Sequence, residues 1–327
     1  MELLIPTRWH IDCYKFSMGN VFNQRFSNLE ARYIFVDRNN LVMPEGLGDE
    51  LRRQVECMQY LPPNAEVGTY MKEQWPFVPG DYFDWYTYKF RFNPDHVQIS
   101  QKNGKLSVAI TGPLVEVTYW ELPLLRMISI LYNKLTGRVA QPGYVERASE
   151  KAEFFFEHDV AYSTMAGRRP FSAEVHRECL AACLPYVQQG KHQPGLIGCS
   201  WAQYAYDFGL KPMGTVAHEY YQIIGAIYGI EVANKIAMMI WHEIYGKSLG
   251  YVLTDTFTTD YFLKDFDRIF AMIFEGLRQD SGDPIAFVTK VLAHLHNIGI
   301  VANEKTIIHT NSLRDKSEIR LNGHFCW

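Results

Sequence analysis

Residues 248–255, 273–280 and 306–311 read SLGYVLTD, IFEGLRQD and TIIHTN, and each is a short apolar run that ends in polar residues. Segments with helical spacing of apolar residues separate these runs along the chain. The alternation of strand, polar turn and helix is typical of a parallel sheet or a β/α barrel. It therefore predicts an α/β domain in the second part of the chain.

Three earlier runs extend the same pattern: residues 161–165 (AYSTM), 194–200 (PGLIGCS) and 211–216 (KPMGTV). Because strand C-termini converge at one mouth of a barrel, we expect the polar residues after each strand to surround one ligand. These residues are Arg168, Arg169, Ser200, His218, Asp255, Arg278, Asp280, Asn311 and Ser312. A closed barrel has about eight strands, and the tail 314–327 shows no helix or strand period. The barrel is therefore predicted to be irregular and incomplete.

The first part of the chain has a different pattern. Residues 96–100 (HVQIS) and 105–110 (KLSVAI) flank the turn residues Asn103 and Gly104, which predicts a β-hairpin. Residues 31–37 and 113–120 are predicted as further strands, and 121–135 as a helix. We expect an N-terminal α+β domain with an antiparallel sheet at 1–125 and the α/β barrel domain at 126–327.

Composition limits the class of protein. The chain has 327 residues, of which 47% are hydrophobic, and a formal net charge of −4. A substantial core is therefore possible, and no basic run suggests a nucleic-acid partner.

The six cysteines are scattered and include one C-x-x-x-C pair, which is typical of a reducing cytoplasm. Charged residues interrupt the apolar segment 223–244, which we interpret as a buried helix and not as a membrane span.

His218 is the first candidate for chemistry. It follows Gly214 and Thr215 and opens a long helical pattern, so its imidazole is expected in the first turn. Helix N-termini bind anions and disfavour a cationic imidazole, which suits a neutral, nucleophilic histidine facing a phosphoryl group. The alternative is a structural histidine that is bonded to a backbone carbonyl.

The sequence GLRQDSGDP, residues 276–284, contains the second group of candidates. Arg278 is suited to bind a phosphate or pyrophosphate, and Asp280 to accept sugar hydroxyls or hold hydrated magnesium. Asp283 is predicted to cap the next helix. Asp255 is a further site candidate, whereas the later acids of its segment are interpreted as solvated or capping groups. A metal-dependent barrel hydrolase that uses Asp255, Asp280 and His218 remains open.

The ordered motifs IDCYKFSM (11–18), GRRPFS (167–172), GCS (198–200), KPMGTVAHEY (211–220), LTDTFTTDYF (253–262) and GLRQDSGDP resemble those of nicotinate phosphoribosyltransferases. The stretch 110–125 is similar to the same family. The resemblance implies the type II phosphoribosyltransferase fold and a homodimer whose active sites are built from both subunits. It also implies that nicotinate and phosphoribosyl pyrophosphate give nicotinate mononucleotide and pyrophosphate, coupled to ATP hydrolysis, in NAD biosynthesis.

The resemblance also implies roles for individual residues, with ATP and Mg²⁺ as cofactors. His218 matches the histidine that is transiently phosphorylated, and Arg278 and Asp280 match the diphosphate and ribose contacts, with Asp255 lining the same cavity. Tyr14 matches a ring that stacks on the pyridine across the dimer, and Lys15 beside it is a phosphate candidate. Arg168 and Arg169 match the pair near base and phosphates, and Ser200 is expected to suit a substrate carboxylate.

The sequence departs from the family at its C-terminal end, where the family's Gly/Thr-rich phosphate loop is not found before Trp327. Such a loop would cradle the 5′-phosphate through backbone N–H groups. We therefore expect a shortened C-terminus. The alternative function is a catalytically impaired, dimeric, nicotinate-binding relative.

Overall fold

A computed structural model describes residues 3–164, 167–190, 193–310 and 324–326. The chain divides into two compact units. Unit 1 comprises Met1–Lys151, Met165–Pro185 and Cys199–Met213, and unit 2 comprises Ala152–Thr164, Tyr186–Gly198 and Gly214–Trp327. A helix at Glu121–Leu135 spans the boundary predicted between residues 125 and 126, and the domain limits stay a prediction.

Unit 1 contains a three-stranded antiparallel sheet of β1 (Glu30–Ile34), β2 (Val97–Lys102) and β3 (Lys105–Pro113), in the order β1-β3-β2. The predicted hairpin is confirmed. Asn103 and Gly104 adopt φ angles of 50° and 72° between β2 and β3, the positive values that a two-residue hairpin turn of type I′ requires.

Helices make up most of the rest of unit 1. They are α1 (Tyr14–Arg25), α2 (Leu47–Cys57), α3 (Ala65–Gln74), α4 (Gly80–Asp84), α5 (Leu114–Val117), α6 (Glu121–Leu135), α8 (Ala173–Cys183) and α9 (Ala202–Asp207), while α7 (Tyr144–Glu157) has residues in both units. Their packing buries an aromatic cluster in which Trp9, Phe16, Tyr86 and Tyr119 are fully enclosed. The N-terminal segment is anchored beside residues 200–203, since Cys13 N donates to Ser200 O over 2.7 Å.

The second sheet has the order β5-β4-β9-β8-β7-β6, with strands β4 (Ala161–Thr164), β5 (Gly195–Cys199), β6 (Tyr251–Leu253), β7 (Gly276–Gln279), β8 (Thr306–His309) and β9 (His324–Cys326). The pairs β4–β9, β9–β8, β8–β7 and β7–β6 are all parallel. The predicted fold class is therefore confirmed: an antiparallel α+β part and a parallel α/β part occur in one chain.

The helices of unit 2 are α10 (His218–Tyr228), α11 (Ile230–Tyr245), α12 (Thr259–Asp265), α13 (Arg268–Ile273) and α14 (Pro284–Asn297). Three of these helices have an N-cap residue whose side chain accepts a hydrogen bond from a backbone N–H of the first turn. The residues are Thr258 for α12, Asp267 for α13 and Asp283 for α14. Among the described residues no single helix is long and apolar enough to cross a membrane. α10 and α11 have sufficient length and apolar character only when they are taken together, and the chain bends by 120° between them.

Three predicted elements were wrong. Residues 211–216 form no strand, because Pro212 lacks an N–H and only an isolated bridge from Cys199 to Pro212 forms. Residues 114–120 are helical: β3 ends at Pro113 and α5 begins directly after it. The helix predicted over 223–244 is broken at Gly229, whose φ of 96° no other residue type adopts easily.

The C-terminal tail also differs from the expectation. It was interpreted as lacking any period, yet His324–Cys326 forms β9 between β4 and β8. The sheet thus has six strands within the described residues, with β9 in place of the strand predicted at 211–216. Asn311 and Ser312, named as strand-end candidates, lie outside the described residues.

Candidate active site

His218 is the first residue of α10, as the sequence predicts. The preceding residue, Ala217, has an extended backbone and supplies no side-chain cap. The N–H groups of the first turn therefore have no capping side chain, which leaves them suited to an anion. The His218 side chain is 37% exposed, so its ring is accessible.

Two carboxylates flank the His218 ring. Nε2 lies 3.1 Å from Asp255 Oδ1, and Nδ1 lies 3.6 Å from Asp280 Oδ2. Ser281 donates its hydroxyl to the other oxygen of Asp255. Burial raises the pKa of the Asp255 carboxyl, but the hydrogen bonds from His218 and Ser281 outweigh burial and hold the pKa below its usual value. Asp255 is therefore ionised at neutral pH and can only accept, so Nε2 carries the proton it shares with Asp255.

Arg278 is held on every side of its guanidinium. Its Nε donates to Thr310 Oγ1 over 3.0 Å, while Nη1 donates to Thr215 Oγ1 over 3.0 Å and to Val216 O over 2.6 Å. Nη2 lies 3.4 Å from Asp280 Oδ1, and the Arg278 side chain is only 8% exposed. These contacts fix the charge of Arg278 next to Asp280.

The parallel strands explain why these residues meet. Asp255 follows β6, Asp280 follows β7, and Thr310 follows β8, and the three strands are neighbours that run in the same direction. Their C-terminal ends lie at one edge of the sheet, as in other α/β proteins. The prediction that His218, Asp255, Arg278 and Asp280 lie together is therefore met within unit 2, although His218 follows no strand and joins the other three from the start of α10.

Tyr14 and Lys15 open α1 in unit 1. Lys15 is fully buried: its ammonium lies 2.7 Å from Glu121 Oε2 and donates to Thr118 Oγ1 over 3.3 Å. It also lies 5.7 Å from the centre of the Tyr14 ring. Because Lys15 is engaged inside unit 1, its role as a phosphate contact would require this ion pair to open, and the role stays a prediction.

Arg168 and Arg169 are exposed on the loop of residues 167–171, here named the arginine loop. Burial raises the pKa of Glu121, but Lys15 and then Arg168 and Arg169 outweigh burial and lower it. The pKa of Arg169 is lowered by partial burial and then by the positive charges of Arg168 and Arg38. Lys15, Arg168 and Arg169 therefore all act on the same acidic residue, Glu121.

Ser200 lies in the core of unit 1, where it is 2% exposed. Its hydroxyl donates to Asp12 Oδ2 over 2.8 Å. The donor of this hydroxyl is therefore already used by a protein carboxylate. The role of Ser200 in binding a substrate carboxylate stays a prediction.

The sequence did not point to several residues that contact or act on the candidates. Around His218 and Arg278 these are Thr215, Ser281 and Thr310, and around Lys15 and the loop arginines they are Glu121 and Arg38. Thr310 and Ser281 adjoin predicted positions, and the rule that strand ends carry function could have found them. Glu121 gave no such signal, since an acid in the first turn of a helix is common.

The described residues contain no group of three or more His, Cys, Asp or Glu side chains that could hold a metal ion. Asp255 and Asp280 nevertheless offer carboxylate oxygens, one on each side of the His218 ring. Mg²⁺ accepts such a small set, because it is commonly held by one or two carboxylates together with substrate phosphates.

Comparison with known proteins agrees with this architecture. The model of the nicotinate phosphoribosyltransferase (NAPRTase) family matches residues 160–325, and the model of the N-terminal domain of that family matches residues 10–129. Nicotinate phosphoribosyltransferase from Chromohalobacter salexigens is 33% identical over 319 residues, covering 96% of this chain and 80% of that protein. The protein of the same name from Desulforapulum autotrophicum is 33% identical over 315 residues, covering 96% and 79%.

A solved structure is similar as well. The crystal structure of nicotinate phosphoribosyltransferase from Porphyromonas gingivalis superimposes with a TM-score of 0.92 at 32% identity. The match covers 98% of this chain and 84% of the other.

Proposed function

We propose that this chain, which belongs to the nicotinate phosphoribosyltransferase family, transfers the phosphoribosyl group of phosphoribosyl pyrophosphate to nicotinate. The products are nicotinate mononucleotide and pyrophosphate, in NAD biosynthesis. The observation that carries the proposal is the arrangement of His218 at a helix start between Asp255 and Asp280, with Arg278 alongside, in a chain of this family.

The central step forms a bond between the pyridine nitrogen and ribose C1, while the bond from C1 to the pyrophosphate oxygen breaks. Charge develops on the departing pyrophosphate and on the sugar ring. Arg278, whose position is fixed by Thr310, Thr215 and Val216, supplies a preorganised cation for the departing charge. Asp280 accepts hydrogen bonds from the ribose hydroxyls and so holds the sugar in line with the base.

His218 couples ATP to this reaction. Asp255 holds the Nε2–H of the ring, so the lone pair of a neutral imidazole is on Nδ1. Nδ1 attacks the γ-phosphorus of ATP, the bond to the bridging oxygen breaks, and ADP leaves with the electron pair. The phosphoryl group adds about two negative charges beside Asp280 and Arg278, and so changes the electrostatics of the site.

Mg²⁺ suits the oxygen donors of this cluster. Asp280 is the residue that would hold it, because its side chain is 27% exposed, whereas that of Asp255 is only 6% exposed. When bound, the ion neutralises phosphate charge as a Lewis acid.

The remaining assignments follow the family. Tyr14 of a second subunit stacks on the pyridine in a homodimer with shared active sites, and Arg168 and Arg169 bind the base carboxylate and phosphates. Ser200 favours nicotinate over nicotinamide, and Lys15 contacts phosphate once released from Glu121. The enzyme acts in the cytoplasm, without a nucleic-acid or membrane partner. The exposure of both arginines supports their part in ligand binding.

The proposal is tested by measuring nicotinate mononucleotide from nicotinate and phosphoribosyl pyrophosphate, with and without ATP and Mg²⁺. We expect product formation that ATP stimulates. Absence of product from the folded chain would contradict the activity. Calorimetry would then distinguish the alternative, because an impaired relative binds nicotinate without turnover.

A further inference from the structure

The arginine loop is tied to α6 by three side chains. Arg126 Nη1 donates to Gly167 O over 2.9 Å, and Ser129 Oγ donates to Pro170 O over 2.8 Å. Asn133 Nδ2 donates to Phe171 O over 3.1 Å. Arg126, Ser129 and Asn133, here named the polar face of α6, are spaced by three and four residues, so they lie on one side of the helix. Three of the five loop carbonyls are thus bound to this single helix.

The loop is also held by close packing at its start. A Cβ added to Gly167 would lie 2.1 Å from Cε3 of Trp201, a distance that no side chain tolerates. Arg126 supports the same ring, since its guanidinium carbon lies 5.2 Å from the centre of the Trp201 ring. Gly167 is therefore fixed between Trp201 and Arg126, and only the side chains of Arg168 and Arg169 project outward from the loop.

These ties oppose a repulsion. Burial and then the positive charges of Arg168 and Arg38 lower the pKa of Arg169, so both of these charges act on Arg169. The attraction of Arg169 to Glu121 is weaker than its repulsion from Arg168 and from Arg38, so without a bound ligand these charges favour an open conformation of the loop. A cavity of about 540 Å³, lined in part by Arg126, Asn133 and Phe171, adjoins the end of the loop. Hydrogen bonds to the carbonyls on both sides of the arginine pair oppose the opening of the loop.

We propose that Ser129 and Asn133 are positioning residues, which hold Arg168 and Arg169 together for a diphosphate-bearing substrate. This inference rests on the proposed function, because it assigns the ligand of the two arginines. Neither Ser129 nor Asn133 touches the substrate. They act by preorganising two cations, which reduces the entropy lost when the anion binds.

The opening of the loop is measured by trypsin, independently of activity. Trypsin cleaves the Arg168–Arg169 bond only when the loop opens, and Pro170 protects the bond after Arg169. We expect the double variant Ser129→Ala, Asn133→Ala to be cleaved there about tenfold faster than wild type, as the loss of two hydrogen bonds implies. Thr136→Ala is the matched control, since within the described part of the chain its hydroxyl donates to Tyr132 O and Asn133 O of the same helix and not to the loop. The single variant Ser129→Thr, which keeps a hydroxyl at this position, should be cleaved at the wild-type rate.

The consequence for binding is measured by calorimetry with inorganic pyrophosphate on the full chain. We expect its dissociation constant to rise about tenfold in the double variant and to stay unchanged in Thr136→Ala. In the activity assay, KM for phosphoribosyl pyrophosphate should rise while KM for ATP and kcat change less than threefold. The single variants Ser129→Ala and Asn133→Ala give intermediate values if the double variant fails to fold.

Two results would overturn the inference: equal tryptic cleavage of the double variant and wild type, or faster cleavage with unchanged pyrophosphate affinity. Failure of the proposed function gives a different result. Wild type would then form no nicotinate mononucleotide, while the tryptic and pyrophosphate measurements would still decide whether α6 positions the arginines.

Discussion

The cluster of His218, Asp255, Arg278 and Asp280 in unit 2, here named the His218 cluster, and the arginine loop of unit 1 use charge in opposite ways. In the His218 cluster, each charged group faces a group of opposite sign or a hydrogen-bond partner: Asp255 faces His218, and Arg278 faces Asp280. In the arginine loop, the adjacent Arg168 and Arg169 both act on Glu121, and Arg38, from a separate segment, adds a further positive charge that acts on Arg169. A set of paired charges is suited to holding a reacting group, whereas a set of like charges is suited to receiving an anion.

The largest expected effect comes from removing the reactive group of the paired cluster. His218→Ala should abolish ATP-dependent phosphorylation and lower ATP-coupled synthesis at least about 100-fold, because the nucleophile is lost. Slow ATP-independent synthesis should remain. Mass spectrometry after incubation with ATP detects phosphohistidine in wild type, and His158→Ala, an exposed histidine of unit 2, serves as control. Wild type without phosphohistidine would contradict the assigned role.

Arg278→Lys tests the fixed cation of the same cluster. A lysine ammonium cannot reach Thr310, Thr215 and Val216 O together, so we expect a loss of about 2 kcal/mol in the free energy of unfolding. KM for phosphoribosyl pyrophosphate should rise about tenfold or more. Urea unfolding and steady-state kinetics measure the two effects, with the exposed Arg268→Lys as control. Wild-type values for both would contradict the arrangement.

Asp255 gives the cluster a pH dependence. Its pKa is lowered in the folded protein, so its contribution to stability is present above the unfolded pKa of about 3.9 and is lost as pH falls through the lower folded pKa. Asp255→Asn should therefore lower the free energy of unfolding by about 2 kcal/mol at pH 7, and the difference should shrink below about pH 4. Urea unfolding at both pH values measures it, with the exposed Asp260→Asn as control. A difference independent of pH would contradict this explanation.

Ser200→Ala tests the carboxylate of Asp12 in unit 1. Asp12 accepts a hydrogen bond from the hydroxyl of Ser200, as Asp255 does from that of Ser281. Loss of the hydrogen bond to the buried Asp12 should destabilise the chain by about 1 kcal/mol. The exposed Ser100→Ala is the control in thermal unfolding. The ratio of rates with nicotinate and nicotinamide, measured on the same variant, tests the separate prediction of base selection, which an unchanged ratio would contradict.

The smallest effect on stability is expected for the arginine loop itself. Arg168→Ala and Arg169→Ala should change the free energy of unfolding by no more than about 0.5 kcal/mol, since each removes an exposed charge that is repelled by its neighbours. Affinity for pyrophosphate should nevertheless fall. Thermal unfolding and calorimetry on the same samples separate the two effects. A large loss of stability would mean that the loop arginines are structural, as the charges of the His218 cluster are.

The sequence was sufficient to predict the part of the site that depends on local pattern. β6, β7 and β8 are strands of three or four residues in which apolar residues are followed by polar ones, and this pattern singled out Asp255, Arg278 and Asp280 as candidates. The capping role of Asp283 and the hairpin turn at Asn103 and Gly104 follow from equally local rules.

The parts that could not be predicted depend on distant partners. Residues 114–117 alternate like a strand, but β3 already pairs on both sides, with β1 and β2, and the chain turns into α5. The burial of Lys15 depends on Glu121, more than a hundred residues away, and that of Ser200 on Asp12. Single-sequence patterns carry no information about such pairs.

The position of β9 has a consequence for how the chain acquires its structure. Among the described strands, β5 and β4 are joined to β8, β7 and β6 through His324–Cys326, which pairs with Tyr162 and Ser163 on one side and with Ile308 and His309 on the other. During synthesis, β4 therefore leaves the ribosome long before its neighbour in the ladder exists. The edge of β4 that pairs with β9 therefore stays unpaired until β9 is made. In that period it is accessible to a chaperone or to the same strand of another nascent chain.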